Sequence, residues 1–213
     1  MKKKTLTIAI ALVLVVALAV GATWAYLTAT TGPVKNTFVA GSAVANDDLK
    51  LFEHVATKND DGTYTLGSDT TTTGNEYTVM PGVNLPKDPT VTVEKASGEY
   101  YLFVEVTKGE KVDGDTLSYT VNSTKWIKLN VDGREVYAYT TDGKNPAILN
   151  SALENVTVLQ PGADGNTIQV SSDNAKVAAL TADNSALTFN AYACQAAGFA
   201  DAAAAFTACF GTK

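Results

Sequence analysis

The chain has 213 residues, of which 46% are hydrophobic and 18% charged, and its formal net charge is −6. This size and composition fit one ordinary globular domain or a large β-sandwich. Basic residues number 16 against 22 acidic ones, and no basic patch follows the N-terminus, so we do not expect a nucleic-acid partner. An acidic surface of this kind is soluble, repels other copies and is able to attract divalent cations.

The N-terminus has the parts of a secretory signal peptide. Residues 2–4 are lysines, and residues 5–20 form an apolar, uncharged run of 16 residues. This run is slightly short for a spanning helix, which needs about 20 residues, and it fits a signal-peptide core better. The small residues Thr23 and Ala25 fit the recognition positions of a cleavage site. We predict a signal peptide at 1–25, with cleavage before Tyr26.

An uncleaved membrane anchor is the alternative. It would continue through Trp24 to Leu27, and Trp24 and Tyr26 would then be the interfacial aromatic residues. A pilin-type leader fits less well, because no Gly-Phe cut precedes the apolar run.

Beyond the leader the pattern becomes typical of β-structure. Short runs of β-branched and aromatic residues alternate with Gly, Asp and Asn turns, and few helix signals intervene, which favours a β-sandwich over a parallel sheet. We expect a flexible segment at 26–35 and a β-sandwich domain at 36–213. The candidate strands are 36–40, 49–54, 63–66, 76–80, 90–95, 100–108, 117–122, 125–131, 134–140, 156–159, 167–171 and 187–195.

Three segments allow more specific predictions. Residues 100–106 read YYLFVEV, with apolar groups on both faces, which predicts a central strand that is covered on both sides. Asp132-Gly133 is the best hairpin signal and would join the strands on either side of it. Residues 68–73 (SDTTTT) form a polar, low-complexity stretch that we interpret as a mobile loop.

The C-terminal third contains the helix signals and both cysteines. Asp173 and Asn174 would cap a helix at 175–180, and Asp201 would cap an alanine-rich helix at 202–209. Cys194 and Cys209 suggest one disulfide in an exported chain, closing a loop that contributes about 3 kcal/mol. Two buried free thiols are the alternative.

Catalytic motifs are missing from the sequence. His54 is the only histidine, which excludes the two-histidine zinc motif, and no Gly-x-Ser-x-Gly, phosphate-binding loop or dinucleotide fingerprint occurs. We interpret His54 as a half-buried or exposed residue at a strand end. Four aspartates are candidate calcium ligands without the spacing of a calcium loop, and we interpret them as turn residues: Asp60, Asp61, Asp113 and Asp115. The sequence therefore predicts no catalytic residue, metal or cofactor, and a protein that is not an enzyme.

Four pieces of the chain together resemble the TasA/camelysin family, whose members are exported through the signal peptidase SipW. Residues 21–41 (GATWAYLTATTGPVKNTFVAG) resemble the family's signal region and mature start. The others are 80–106 (MPGVNLPKDPTVTVEKASGEYYLFVEV), 125–139 (KWIKLNVDGREVYAY) and 190–206 (NAYACQAAGFADAAAAF). The motif of the first piece falls on Gly21, Thr23, Ala25, Asn36, Phe38 and Gly41. Phe206 stands where a Trp is common in the family, and the two cysteines are additions.

The resemblance implies a fold and a function. It implies an antiparallel, jelly-roll-like β-sandwich with one or two short helices, secreted by a Gram-positive cell and in some members assembled into fibres of the biofilm matrix. The partners would be other copies of the chain and, during export, the signal peptidase. The membrane would be contacted only through the uncleaved leader. The camelysin branch carries a metallo-endopeptidase label, which a chain with one histidine and no zinc spacing does not support.

The mature N-terminus suggests how copies would join. Residues 26–41 span roughly 50 Å when extended, and Gly32-Pro33 introduces a bend. We hypothesise that 26–31 is a donor strand for the next subunit, with Tyr26, Leu27 and Thr28 making its first contacts, while 36–40 is the first strand of its own domain. A disordered tail on a monomer, or a monomeric adhesin, is the alternative.

Overall fold

Eleven strands and two short helices form the described part of the computed structural model, which comprises residues 43–161 and 166–211. The expected signal helix, cleavage site, donor segment and strand 36–40 all lie outside the described residues. The strands are β1 (Leu49–Lys58), β2 (Tyr64–Thr71), β3 (Leu85–Pro86), β4 (Thr90–Val93), β5 (Tyr100–Lys108), β6 (Leu117–Ser118), β7 (Trp126–Lys128), β8 (Glu135–Tyr139), β9 (Leu153–Thr157), β10 (Thr167–Val170) and β11 (Leu187–Gln195). The helices are α1 (Asn174–Ala178) and α2 (Ala202–Phe210), and a 3-10 turn covers Asn46–Asp48.

The strands form three antiparallel sheets. One four-stranded sheet has the order β2-β1-β4-β9, the other has the order β11-β5-β8-β7, and a small sheet has the order β3-β10-β6. Buried side chains from all three sheets form one core, including Val91 and Val93 of β4, Leu102 and Val104 of β5, and Ile168 of β10. The expected all-β antiparallel sandwich with short helices is confirmed.

Strand β5 is a central strand whose two faces are both covered, as its sequence predicts. Leu102 and Val104 are fully buried between the sheets. Tyr101 and Phe103 point to the opposite face, where the Phe103 ring lies edge-to-face on Phe206 of α2 with centroids 5.2 Å apart. A strand flanked by a sheet on one side and a helix on the other is buried on both faces, which explains why six of the seven residues at 100–106 are hydrophobic, Glu105 being the exception.

The predicted hairpin between β7 and β8 is also present. Trp126 pairs with Tyr139 and Lys128 pairs with Tyr137, and Gly133 turns the chain with a φ of 68° that favours glycine. The indole N–H of Trp126 donates a 2.9 Å hydrogen bond to the carbonyl oxygen of Thr157 in β9. This bond connects the two four-stranded sheets on the side of the sandwich where β7 and β9 lie.

Other boundaries differ from the sequence predictions. Residues 76–80 were expected to be a strand and form none. Side-chain hydrogen bonds hold this segment, where a strand would use a backbone ladder. The Tyr77 hydroxyl donates to the carbonyl of Pro86, and the Thr78 N–H donates to the Tyr64 hydroxyl at 2.7 Å. The predicted loop at 68–73 is wrong in its first part, since β2 extends to Thr71. The strand expected at 156–159 lies instead at Leu153–Thr157.

Both predicted Asp caps are present, although α1 covers Asn174–Ala178 and not the predicted 175–180. The carboxylate of Asp173 accepts hydrogen bonds from the N–H groups of α1, and that of Asp201 accepts one from Ala204 at 2.8 Å. Helix α2 packs its buried Ala205 and Phe206 against the β5 sheet. A disulfide joins Cys194 of β11 to Cys209 of α2, which is the pairing expected from the sequence.

Candidate functional site: the outer edge of strand β11

Three of the four outer strands of the large sheets carry features that discourage pairing with another chain. Strand β7 has only three residues. Strand β9 contains Asn155 with a φ of 46°, and its register with β4 shifts. Strand β2 carries Asp69, and its register with β1 shifts between His54 and Ala56. Short strands, bulges and charges are the usual means by which proteins protect their sheet edges.

Strand β11 has none of these features. It pairs with β5 over nine residues, from Leu187 opposite Lys108 to Gln195 opposite Tyr100, without a register shift. Its sequence, LTFNAYACQ, contains no proline and no charged residue. It is therefore the one long, regular and uncharged outer strand in the described part of the two large sheets.

The direction of the backbone groups of β11 follows from its two flanking hydrogen bonds. The Gly109 N–H donates to the Ala186 carbonyl at 2.7 Å, and the Ala196 N–H donates to the Glu99 carbonyl at 2.9 Å. Hydrogen-bonded pairs alternate along an antiparallel ladder, so the even-numbered residues of β11 face β5. The odd-numbered residues of β11 direct their backbone N–H and C=O groups away from β5; they are Leu187, Phe189, Ala191, Ala193 and Gln195. Among the described residues, no backbone hydrogen bond reaches these outward groups.

The side chains of β11 extend both apolar layers of the sandwich up to this edge. Phe189 is buried in the core between the sheets, and Ala191 and Ala193 pack against the same core. Tyr192 and Cys194 point to the other face, toward α2. A strand added beside β11 would therefore have an apolar layer to continue on each of its faces.

A groove opens next to this edge, between β11 and the other large sheet. A cleft of about 130 Å³ is lined by Phe52 and Glu53 of β1, Thr188 and Phe189 of β11, and residues 71–74. A larger cleft of about 560 Å³ adjoins Leu187 and has mostly apolar walls, among them Val79, Leu85, Val112, Val177 and Leu180. Both clefts share Leu187 and Lys87 in their lining.

Charged residues lie on the floor of this groove. Lys87 and Glu53 are both buried, and the Lys87 Nζ lies 2.6 Å from Glu53 Oε1. Burial, followed by the nearby charges of Glu53 and Asp88, raises the pKa of Tyr77, which lines the larger cleft. The sequence pattern did not predict this buried pair, although Glu53 falls in the same strand phase as the core-facing Leu49 and Leu51.

His54 forms a side-chain pair with Asp88. It lies inside β1 and not at the strand end that we expected, with its ring Nδ1 2.6 Å from Asp88 Oδ2. The His54 backbone N–H donates to the other oxygen of the same carboxylate at 3.0 Å. In the described part of the chain, no hydrogen bond joins this ring to a serine or a cysteine, so the nucleophile that a triad requires is not assembled there.

The aspartates considered as calcium ligands serve local turns or a surface ion pair. Hydrogen bonds from Thr63 lower the pKa of Asp61, and Asp115 pairs with Lys176 at 2.6 Å. Asp113 accepts backbone hydrogen bonds from Thr116 and Asp115, which lower its pKa to about 2. Within residues 43–161 and 166–211, no group of three or more His, Cys, Asp or Glu side chains is arranged to hold a metal ion.

The predicted cleavage residues Thr23, Ala25 and Tyr26, and the donor residues Leu27 and Thr28, lie outside the described residues. Among the helices that the structure describes, none is both long and apolar enough to cross a membrane. Comparison with known proteins finds no family model, no curated protein and no solved structure that matches this chain.

Proposed function

We propose that this protein is a secreted structural protein that polymerises into fibres of the extracellular biofilm matrix and catalyses no reaction. In this proposal, residues 26–31 of one copy pair as an added strand with the outer edge of β11 in the next copy. The observation that carries it is the nine-residue, uncharged and bulge-free edge of β11. An edge of this kind is a template for another strand, and proteins that remain monomeric usually protect it.

The geometry of the edge fits a short donor. Residues 26–31 read YLTATT, which is rich in strand-forming residues and free of charge. In an extended strand Leu27 and Ala29 share one face, while Tyr26 and Thr28 share the other. We place Leu27 and Ala29 toward the small cleft beside Phe189, because Phe52, Leu187 and Phe189 provide apolar walls there. The backbone hydrogen bonds supply most of the affinity, and the alternating side chains fix the register.

Cleavage before Tyr26 would act as the switch for assembly. An uncut leader keeps the donor segment attached to the apolar run of 5–20 and so holds it at the membrane. The disulfide between Cys194 and Cys209 supports the acceptor side, since it ties β11 to α2 and limits fraying of the strand that receives the donor.

The test compares three proteins and one control, all of which begin at or after Tyr26. The first is the full mature chain, the second lacks residues 26–31, and the third carries Ala191→Pro. Proline at an outward-facing position of an edge strand removes an N–H that the incoming strand needs, whereas the ladder to β5 does not use that N–H. Ala191→Val is the matched control, because it changes the side chain and keeps the N–H.

We expect fibres in negative-stain electron micrographs of the full chain and of Ala191→Val, and monomers for the other two variants. Circular dichroism must show that Ala191→Pro remains folded; if it does not, Leu27→Pro on the donor side tests the same pairing. Fibres that persist without residues 26–31 would contradict the donor assignment. A full mature chain that stays monomeric at every concentration would support a monomeric binding module instead.

A further inference from the structure

One buried carboxylate contacts both a primary amine and a primary carboxamide. Glu53 Oε1 lies 2.6 Å from Lys87 Nζ, and Glu53 Oε2 accepts a 3.2 Å hydrogen bond from Asn75 Nδ2. Lys87 and Glu53 are only 7% and 8% exposed. Three functional groups that can react with one another in a condensation are therefore held together, two of them away from bulk water.

Two backbone hydrogen bonds fix the carboxamide of Asn75. Its Oδ1 accepts a 2.8 Å hydrogen bond from the Ala56 N–H, and its Nδ2 donates a 2.9 Å hydrogen bond to the His54 carbonyl. Both bonds lie where the register of β1 with β2 shifts, which frees these backbone groups from the ladder. A backbone N–H directed at an amide oxygen is also the donor that stabilises negative charge on that oxygen during attack on the carbonyl carbon.

We propose that Lys87 and Asn75 become joined by an intramolecular isopeptide bond, with Glu53 as the proton carrier. The Lys87 ammonium first passes a proton to the touching Glu53 carboxylate. The neutral Nζ then attacks Cγ of Asn75, and the resulting oxyanion is held by the Ala56 N–H. Glu53 gives its proton to Nδ2 and accepts a second proton from Nζ. The Cγ–Nδ2 bond then breaks, and Nδ2 leaves as ammonia.

The step balances without any other reactant. The Nζ–Cγ bond forms, the Cγ–Nδ2 bond breaks, no atom is oxidised or reduced, and one molecule of ammonia is released. Glu53 finally returns to its carboxylate form by giving its proton to that ammonia. The buried site favours the proton transfer that starts the sequence, because this transfer neutralises two charges that would otherwise be costly to keep away from water. It also excludes the water that would compete with Nζ as the nucleophile.

The bond would be a second covalent link in the domain, and it is independent of the proposed fibre function. It would connect the segment that follows β2 to the segment between β3 and β4, and so close a loop from residue 75 to residue 87 beside β1. The disulfide links β11 to α2 on the opposite face of the β5 sheet. Together the two links would brace both sides of the groove that borders β11.

Intact mass spectrometry of the folded, disulfide-bonded protein tests the proposal. We expect a mass that is lower than the sequence requires by one ammonia. No Lys or Arg lies between residues 59 and 86, so a tryptic digest should contain one looped peptide, 59–95, in which Lys87 is uncleaved and bonded to the Asn75 side chain. Glu53→Gln should restore the full mass while keeping the size of the side chain. Glu135→Gln is the matched control, because Glu135 pairs with Lys108 at 3.1 Å near the surface and should leave the cross-link unchanged.

The alternatives give different masses. A wild-type protein of full mass would overturn the proposal. The loss of one water would show that Lys87 condenses with Glu53 and would overturn the assignment to Asn75. The loss of ammonia with normal cleavage after Lys87 would point to cyclisation of an asparagine on its own backbone, and this result would also overturn the proposal. The wild-type measurements decide the matter even if Glu53→Gln does not fold.

Discussion

Arg134, the only arginine of the chain, offers a quantitative test of how α2 is held against the β5 sheet. Its guanidinium forms a two-pronged ion pair with Glu105, with contacts of 2.8 and 2.6 Å. The same group lies 4.5 Å from the centre of the Phe206 ring and donates to the carbonyls of Phe210 and Gly211 at the end of α2. One side chain therefore connects β8, β5 and α2.

Arg134→Met removes the positive charge and leaves most of the apolar volume. The buried Glu105 carboxylate then loses the counter-charge of Arg134, and breaking a buried pair in this way costs about 3–5 kcal/mol. The Tyr192 hydroxyl still donates a 3.0 Å hydrogen bond to Glu105, so we expect a loss near the lower end, about 3 kcal/mol. Urea unfolding monitored by circular dichroism measures the change in the free energy of unfolding.

Two further variants isolate the cause. Adding Glu105→Gln to Arg134→Met removes the carboxylate charge that Arg134 had balanced, and we expect the double variant to recover a large part of the lost stability. Lys176→Met breaks the Lys176–Asp115 pair, which lies at the protein surface, and should cause no measurable change. If Arg134→Met is no more damaging than Lys176→Met, the Arg134–Glu105 pair is solvated in solution and the reasoning fails.

Three more predictions concern the disulfide, the stability at acidic pH and the Trp126–Thr157 hydrogen bond between the two large sheets. Replacing Cys194 and Cys209 by serine should lower the free energy of unfolding by about 3 kcal/mol in urea titrations, because the loop is no longer closed. Backbone hydrogen bonds lower the pKa of Asp113 from its ordinary value of 3.8 to about 2. Its contribution to stability is therefore present above pH 3.8 and is lost as the pH falls through about 2. In Asp113→Asn, the melting temperature should depend less on pH between these two values. Trp126→Phe leaves the Thr157 carbonyl without the indole donor and should lower the free energy of unfolding by about 2 kcal/mol. An unchanged urea midpoint would mean that water replaces the indole N–H.

Local patterns predicted the elements that depend on local chemistry. The limits of β5 and β11 were predicted residue for residue, since both are long runs of strand-forming residues that end at turn signals. The Asp201 cap likewise predicted where α2 begins, and the Asp173 cap predicted the start of α1 to within one residue. Residues 76–80 have the same β-like pattern, yet Tyr77 and Thr78 make their contacts through side chains. A propensity for extended structure does not specify which partner satisfies the backbone.

The candidate site depended on information that the sequence pattern does not carry. LTFNAYACQ predicts a strand, but whether that strand lies at the centre or at the edge depends on which other strands reach it. The absence of charge in these nine residues is a usable signal of an unprotected edge only after the topology is known. The pairing of Glu53 with Lys87 bridges 34 residues and was invisible for the same reason.

The two proposals can be separated by one variant. Glu53→Gln should abolish the isopeptide bond, but Glu53 lies on β1 and contributes no backbone group to the outer edge of β11. We therefore expect this variant, when started at Tyr26, to form fibres that look normal in electron micrographs. Those fibres should dissociate and unfold at a lower urea concentration than wild-type fibres, because the loop from residue 75 to residue 87 beside the groove is no longer closed. A folded Glu53→Gln protein that forms no fibres would show that assembly requires the intact floor of the groove, and that backbone pairing at β11 is not sufficient.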